Sequence, residues 1–186
     1  FVAAAVVGTL TATAAARYRT VAFLSAPLIS TVRAVPVVSF IILVLLWADA
    51  ATLATVTSFL MVWPIMHSSI VEAVRARDTR LLEVVQVFAI SRWRRIRAVD
   101  VPAALPFFAS ASRIGIGLAW KAGVAAEVIG VSQGSIGERL YQAKIFLESA
   151  DLFAWTAVIV TVSIACEALA LKGIEALRAR HAGGAS

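Results

Sequence analysis

Residues 78–106 read DTRLLEVVQVFAISRWRRIRAVDVPAALP and lie between two long apolar segments. The pattern predicts two short helices, broken near Ala89–Ser91. The first would bury Leu81, Leu82, Val84, Val85 and Phe88, with Glu83 and Gln86 among them. Ser91 can cap the second. There Trp93, Ile96 and Val99 share one face while Arg92, Arg94, Arg95 and Arg97 stay in water. Such an element is too charged to cross lipid and too patterned to be a plain loop. Its apolar ridge needs a protein partner or the membrane surface.

The surrounding chain sets the class. Of 186 residues, 61% are hydrophobic and 15% charged, whereas a soluble domain is usually nearer half apolar and a quarter charged. The expectation is an all-α, polytopic membrane helix bundle forming a single domain over residues 1–186. The lone Cys166 forms no internal disulfide. The chain opens on FVAAAVVG, without Met or a charged leader, so the first helix is expected to begin upstream of Phe1.

Five spans are expected. Residues 1–16 carry Ala4, Gly8, Ala12 and Ala16 at four-residue spacing, a smooth face for close helix approach. Residues 20–35 should lie at the membrane interface, broken near Pro27. Span two, 34–48, is strongly apolar but brief, and Pro36 suits its first turn. Residues 50–71 supply about one bilayer of helix at ~1.5 Å per residue, with Pro64 a candidate kink. After the charged loop, which occupies about 72–101, residues 102–126 form span four. Its Ala111, Gly115, Ala119 and Gly123 again recur every four residues, so it should sit deep in the bundle. A glycine-containing break at 131–150 precedes the last span, 152–171, with Glu167 placed near its inner end and a basic tail beyond.

Three ionisable residues are candidates for a solute path. Arg113 falls midway along its span, where a central arginine costs on the order of 2.5–3.5 kcal/mol on insertion scales and must face protein or water. Glu127 falls near the far end of the same helix. His67 could border a path or simply bond to a neighbouring helix. No second His, Cys or acid at ligand spacing points to a metal site, and no Gly-Lys-Ser/Thr follows Gly134 or Gly137 to make a phosphate loop.

Charge fixes the orientation. Placing the charged loop at about 72–101, residues 17–35 and the C-terminal tail on one side gathers 13 of the 17 Lys and Arg there. The positive-inside rule puts that side in the cytoplasm. The same bias accounts for the excess of 17 basic over 11 acidic residues without nucleic-acid binding.

The loop resembles the cytoplasmic coupling loop of ABC importer permeases. That loop runs Glu-Ala-Ala, three residues, Gly, nine residues, then Ile-x-Leu-Pro. Glu83-Val84-Val85 stands for the opening triplet, Ala89 replaces the glycine, and Val99-Asp100-Val101-Pro102 closes at the same spacing. Ala89 lacks the freedom of glycine at positive φ. Arg33-Ala34-Val35-Pro36 and Ala125-Ala126-Glu127 are similar to segments of the nitrate-, sulfonate- and taurine-type permeases. The resemblance implies an importer type I permease in the bacterial cell membrane, with loop and C-terminus cytoplasmic. It also implies a separate ABC ATPase dimer, which would hold ATP and Mg, since this chain would bind no cofactor and hydrolyse no ATP itself. Leu81, Leu82, Val85 and Phe88 would dock on that subunit, with Glu83, Ala89, Ser91, Arg92, Trp93 and Pro102 completing the coupling set. A second permease copy, or a similar permease, and an extracytoplasmic substrate-binding protein are the remaining expected partners. The solute would be a small nutrient of nitrate, sulfonate, taurine or pyrimidine type. Rival readings are a permease of an amino-acid or methionine branch, an ATPase-independent channel or scaffold, and, last, a membrane enzyme.

Overall fold

The computed structural model describes residues 1–182, except for the side chains of Ala51, Leu82 and residues 175–182. Leu82, expected on the docking ridge, and the tail residues Arg178, Arg180 and His181 therefore have side chains outside the described set. The order is α1 (Val2–Arg17), α2 (Arg19–Ala34), α3 (Val37–Leu45), α4 (Ala50–Arg75), α5 (Thr79–Val87), α6 (Arg92–Arg95), a π-helical turn (Ile96–Asp100), α7 (Val101–Gly130), α8 (Ile136–Ile145) and α9 (Ser149–Ala182). No strand occurs among the described residues.

Three helical stretches are long and apolar enough to cross a membrane: Thr52–Arg75, the continuous Arg92–Gly130 and Ser149–Ile174. Five spans were expected, and the first two differ. Residues 34–48 yield only the nine-residue α3, about 14 Å of helix against a hydrocarbon core of about 30 Å. Only together with α2, to which it is bent by 99°, is it long and apolar enough to count as a span, broken or re-entrant. The hinge falls at Val35–Pro36, because proline disfavours helical geometry in the residue before it and Val35 is extended. α2 is unbroken at Pro27, contrary to the expected interruption.

α4 is the central post. α1 packs on one side and α7 on the other. The core is built of Ala4, Ala5, Val62, Met66 and Ala111 at mid-height, with Ile41, Leu53 and Ala126 nearer the end of the bundle away from α5. We call that the far end, and the end bearing α5 the loop end. Ser58 Oγ donates to the carbonyl of Ala119 at 2.7 Å and Ser69 Oγ to that of Phe107 at 3.0 Å, two rungs joining α4 to α7. In lipid, such bonds and close packing replace the hydrophobic effect as the glue between helices.

The small-residue faces are real but rotated. α1 buries Ala4, Gly8, Ala12 and Ala15, while Ala16 is exposed. α7 buries Ala111, Gly115, Ala122 and Ala126, with Ala119 and Gly123 only half-buried. A four-residue repeat gains about 40° per step on a helix of 3.6 residues per turn, so its third repeat leaves the contact face. A step of three restores it. The tightest approach is at Gly8, where an added Cβ would stand 2.6 Å from Met66 Cβ and 3.2 Å from the carbonyl oxygen of Trp63. Gly8→Val is therefore expected to separate α1 from α4 and to destabilise the bundle by about 1–3 kcal/mol or more. A lowered unfolding midpoint in detergent checks this; an unchanged midpoint would refute the close contact.

α9 touches α7 and α8. None of its most apolar stretch is buried within the chain.

Candidate functional site

The segment between α4 and α7 is held at three points. Asp78 Oδ1 accepts the backbone N–H of Arg80 at 2.8 Å and caps α5, satisfying one of the donors a helix start leaves free. At the other end of α5, the N–H of Ile90 bonds to the carbonyl of Val85 at 3.1 Å and that of Ala89 to Gln86 at 3.1 Å. This paired closure requires a left-handed residue, and Ala89 takes φ +47°. Alanine thus adopts the conformation that glycine would adopt more readily, at roughly 1 kcal/mol of strain. The break between the helices falls where the sequence placed it.

The third point is electrostatic. Arg77, just after α4, places a guanidinium nitrogen 2.8 Å from Asp100 Oδ1 in the π turn. Arg95 Nε approaches Asp100 Oδ2 at 3.5 Å. This clasp joins the two roots of the loop. Sequence reading missed it, since Arg77 and Asp100 are far apart in the chain and share no motif.

The second half of the loop is not a separate short helix. Arg92–Gly130 is one continuous helical stretch. Pro102 sits just inside α7 and lacks an N–H, and its ring would crowd the carbonyl one turn back. The widened turn at Ile96–Asp100 precedes it, with the Val101 N–H reaching back to the carbonyl of Ile96. A π turn of this kind makes room without ending the helix. Ser91 stands at the N-cap position, but its hydroxyl makes no capping hydrogen bond.

The exposed face of α5 also departs from expectation. Val85 is buried, at 5% exposure, and cannot present itself to a partner. The apolar residues that stand out are Leu81, Val84, Val87 and Phe88, the last two at 80% and 73% exposure. Val87 was not on the expected ridge. Glu83, Arg92, Arg94 and Arg97 are exposed, as are Trp93, Ile96 and Pro102, while Arg95 is half-covered. The result is an apolar patch fringed by charge at the loop end.

The three path candidates are not brought together. His67 is buried; its Nδ1 lies 3.1 Å from Thr11 Oγ1, which also accepts from Trp63 Nε1 at 3.2 Å. This links α1 to α4. Glu127, at the far end, accepts the backbone N–H of Gly137 at 3.1 Å and ties α7 to α8. Arg113 projects from the exposed side of α7, two residues and about 200° from the buried Ala111. Among the described residues it forms no ion pair. Glu167, expected near the inner end of its span, faces the middle of α7. Its carboxylate lies 3.8 Å from the place a Cβ on Gly117 would occupy, one turn from Arg113 and midway along α7.

The chain is similar to a riboflavin transport system permease of Chloroflexus aurantiacus, 26% identical over 78% of this chain and 54% of the relative. It is similar to the taurine transport system permease of Escherichia coli, 28% identical over 83% of this chain and 54% of the relative. A bicarbonate transport system permease of Synechococcus elongatus is 38% identical over 37% of this chain and 24% of its own length. The chain thus spans about half the length of the first two. The family described as binding-protein-dependent transport system inner membrane component matches residues 4–176. A helical bundle with long apolar spans and that match over nearly its whole length place this chain in the binding-protein-dependent transport family, as a permease of the ABC importer class.

Proposed function

We propose that this chain is the transmembrane subunit of an ATP-driven importer. It forms half of a solute pathway and is driven through the α5 segment by a separate ATPase that holds ATP and Mg. The observation that carries this reading is the exposed apolar patch of Leu81, Val84, Val87 and Phe88 on a capped and clasped helix between two long spans. An amphipathic helix of that kind docks into a groove of a partner. The charge bias of the sequence puts the patch in the cytoplasm, where an ATPase is found. Two permease copies, or this chain and a similar one, close the pathway around a two-fold axis, and an extracytoplasmic binding protein delivers the solute. The relatives named for taurine and bicarbonate favour a small solute of the nitrate, sulfonate or taurine kind, while the riboflavin relative keeps a larger nutrient in view.

The test is affinity purification of the full-length permease co-expressed with its ATPase subunit, paired with thiol labelling of Arg94→Cys in intact cells. Co-purification and protection from an impermeant label are expected. Loss of the partner in mild detergent, or labelling from outside, would overturn the reading.

Arg113 is assigned to the pathway because its charge lies at mid-span on the face turned away from α4. Arg113→Leu is expected to lower uptake by about tenfold or more while leaving assembly intact, a loss of the size expected for one charged hydrogen bond. Normal uptake with poor folding would assign Arg113 a structural role instead.

A further inference from the structure

One side of α2 lines a cleft at the loop end of the bundle. Ala22, Ser25, Ala26, Ile29, Ser30 and Arg33 turn toward α1 and α4 and border a cavity of about 800 Å³ at the loop end. Phe23, Leu24 and Leu28 face outward, at 80%, 70% and 52% exposure. Residues at i, i+3, i+4, i+7, i+8 and i+11 share one side of a helix, so the six inward-turned residues line the cleft together, with Ile29 buried at its floor. In a bundle surrounded by lipid the outward face meets acyl chains. The cleft those six border is open at the edge of the bundle, where Ser30, Arg33, Glu72 and Arg75 are exposed.

The chemistry of that cleft is specific. α4 contributes Ser68, Glu72 and Arg75, opposite Ser25, Ser30 and Arg33 of α2. Among the described residues, neither arginine comes within ion-pair distance of Glu72, since the two ion pairs found are those of Asp100. Two guanidinium groups and three hydroxyls thus stand against one carboxylate. Guanidinium forks match the oxygens of a phosphate, and serine hydroxyls complete its shell. Arg75 lies in the last turn of α4 and Arg17 in the last turn of α1, which puts the cleft at the level where a membrane-spanning bundle meets lipid headgroups. Basic pockets between helices at that level suit phospholipid headgroups. The alanines at positions 15, 16, 22 and 26 leave room for more than a bare ion.

We propose that this cleft binds a phosphate-type oxyanion, held by Arg33 and Arg75. Its sources are a phospholipid headgroup of the adjoining leaflet or free phosphate. The site is separate from the α5 patch and does not rest on the ATPase reading.

Native mass spectrometry of the full-length permease, with phosphatidylglycerol or a phosphate-free glycolipid added, tests the lipid source. Thermal unfolding with added inorganic phosphate tests the free ion. Wild type is expected to retain phosphatidylglycerol in preference to the glycolipid, or, if free phosphate is the ligand, to be stabilised by phosphate alone. Arg33→Gln and Arg75→Gln are each expected to weaken the response by about tenfold. Both side chains are exposed, so neither change opens the core. Arg139→Gln, near the far end, is expected to leave the response intact. The proposal is overturned if wild type responds to neither probe, or if both glutamine variants respond as wild type does.

Discussion

On the proposed docking of an ATPase at α5, replacing Phe88 by Asp is expected to detach the permease from that subunit without unfolding it. Phe88 ends α5 with 73% of its surface exposed, so the bundle loses little packing. A carboxylate placed where an apolar side chain enters a partner groove must be desolvated without a counter-charge. Central aromatic anchors carry about 2–4 kcal/mol of an interface, which corresponds to a loss of affinity of roughly 30- to 1,000-fold. Co-purification should fail and uptake should fall to background, with the unfolding midpoint close to wild type. Val85→Asp is the contrast, because Val85 is buried and its replacement should lower the unfolding midpoint directly. Glu83→Ala, on the exposed surface, should have a smaller effect that weakens with salt, as peripheral charges mainly steer association. An intact complex with Phe88→Asp would show that the ATPase grips another surface.

The second large effect is expected at the clasp. Arg77 and Asp100 join the end of α4 to the start of α7 at 2.8 Å, and their side chains retain 17% and 20% exposure. Breaking such a pair should fall between the 0–1 kcal/mol of a surface bridge and the several kcal/mol of a buried one, about 1–3 kcal/mol. The mechanical consequence is larger than the energetic one. On the proposed coupling role, opening the clasp would leave motion of α5 unequally passed to the two spans. Arg77→Asp and Asp100→Arg are each expected to permit ATP hydrolysis with little uptake. The double exchange should recover much of the coupling, since it restores the attraction with its partners reversed. The ratio of uptake to hydrolysis is the measurement. If the exchange stays as uncoupled as either single change, the pair does not transmit motion, and if all three transport normally it is incidental.

Much of the loop was legible because its signals are local. The apolar residues at helical spacing after Thr79 mark the first helix. The break at Ala89 was placed by spacing alone, and the left-handed backbone there follows from the need to satisfy the last carbonyls of α5. What local signals could not give was direction. Val85 and Val84 are adjacent and equally apolar, yet one turns inward and the other outward, a choice made by how α5 lies against the rest of the chain and not by side-chain chemistry. His67 and Glu127 are similar cases. Each is a polar residue in an apolar span, and only the neighbouring Thr11 and Gly137 identify it as a link between helices.

The sequence by itself determined that this chain is a helical membrane bundle, which end of it carries the basic loop, and that an amphipathic helix lies in that loop. Those properties follow from composition, from helical period and from the asymmetric cost of placing arginine across a membrane. Tertiary structure alone decided which residues of each stripe meet a neighbour, that α3 is bent by 99° from α2, and that Arg77 closes on Asp100. Side chains far apart in sequence acquire a common distance only when the helices that carry them pack. A repeat of four residues cannot state how far a helix turns before it meets its partner.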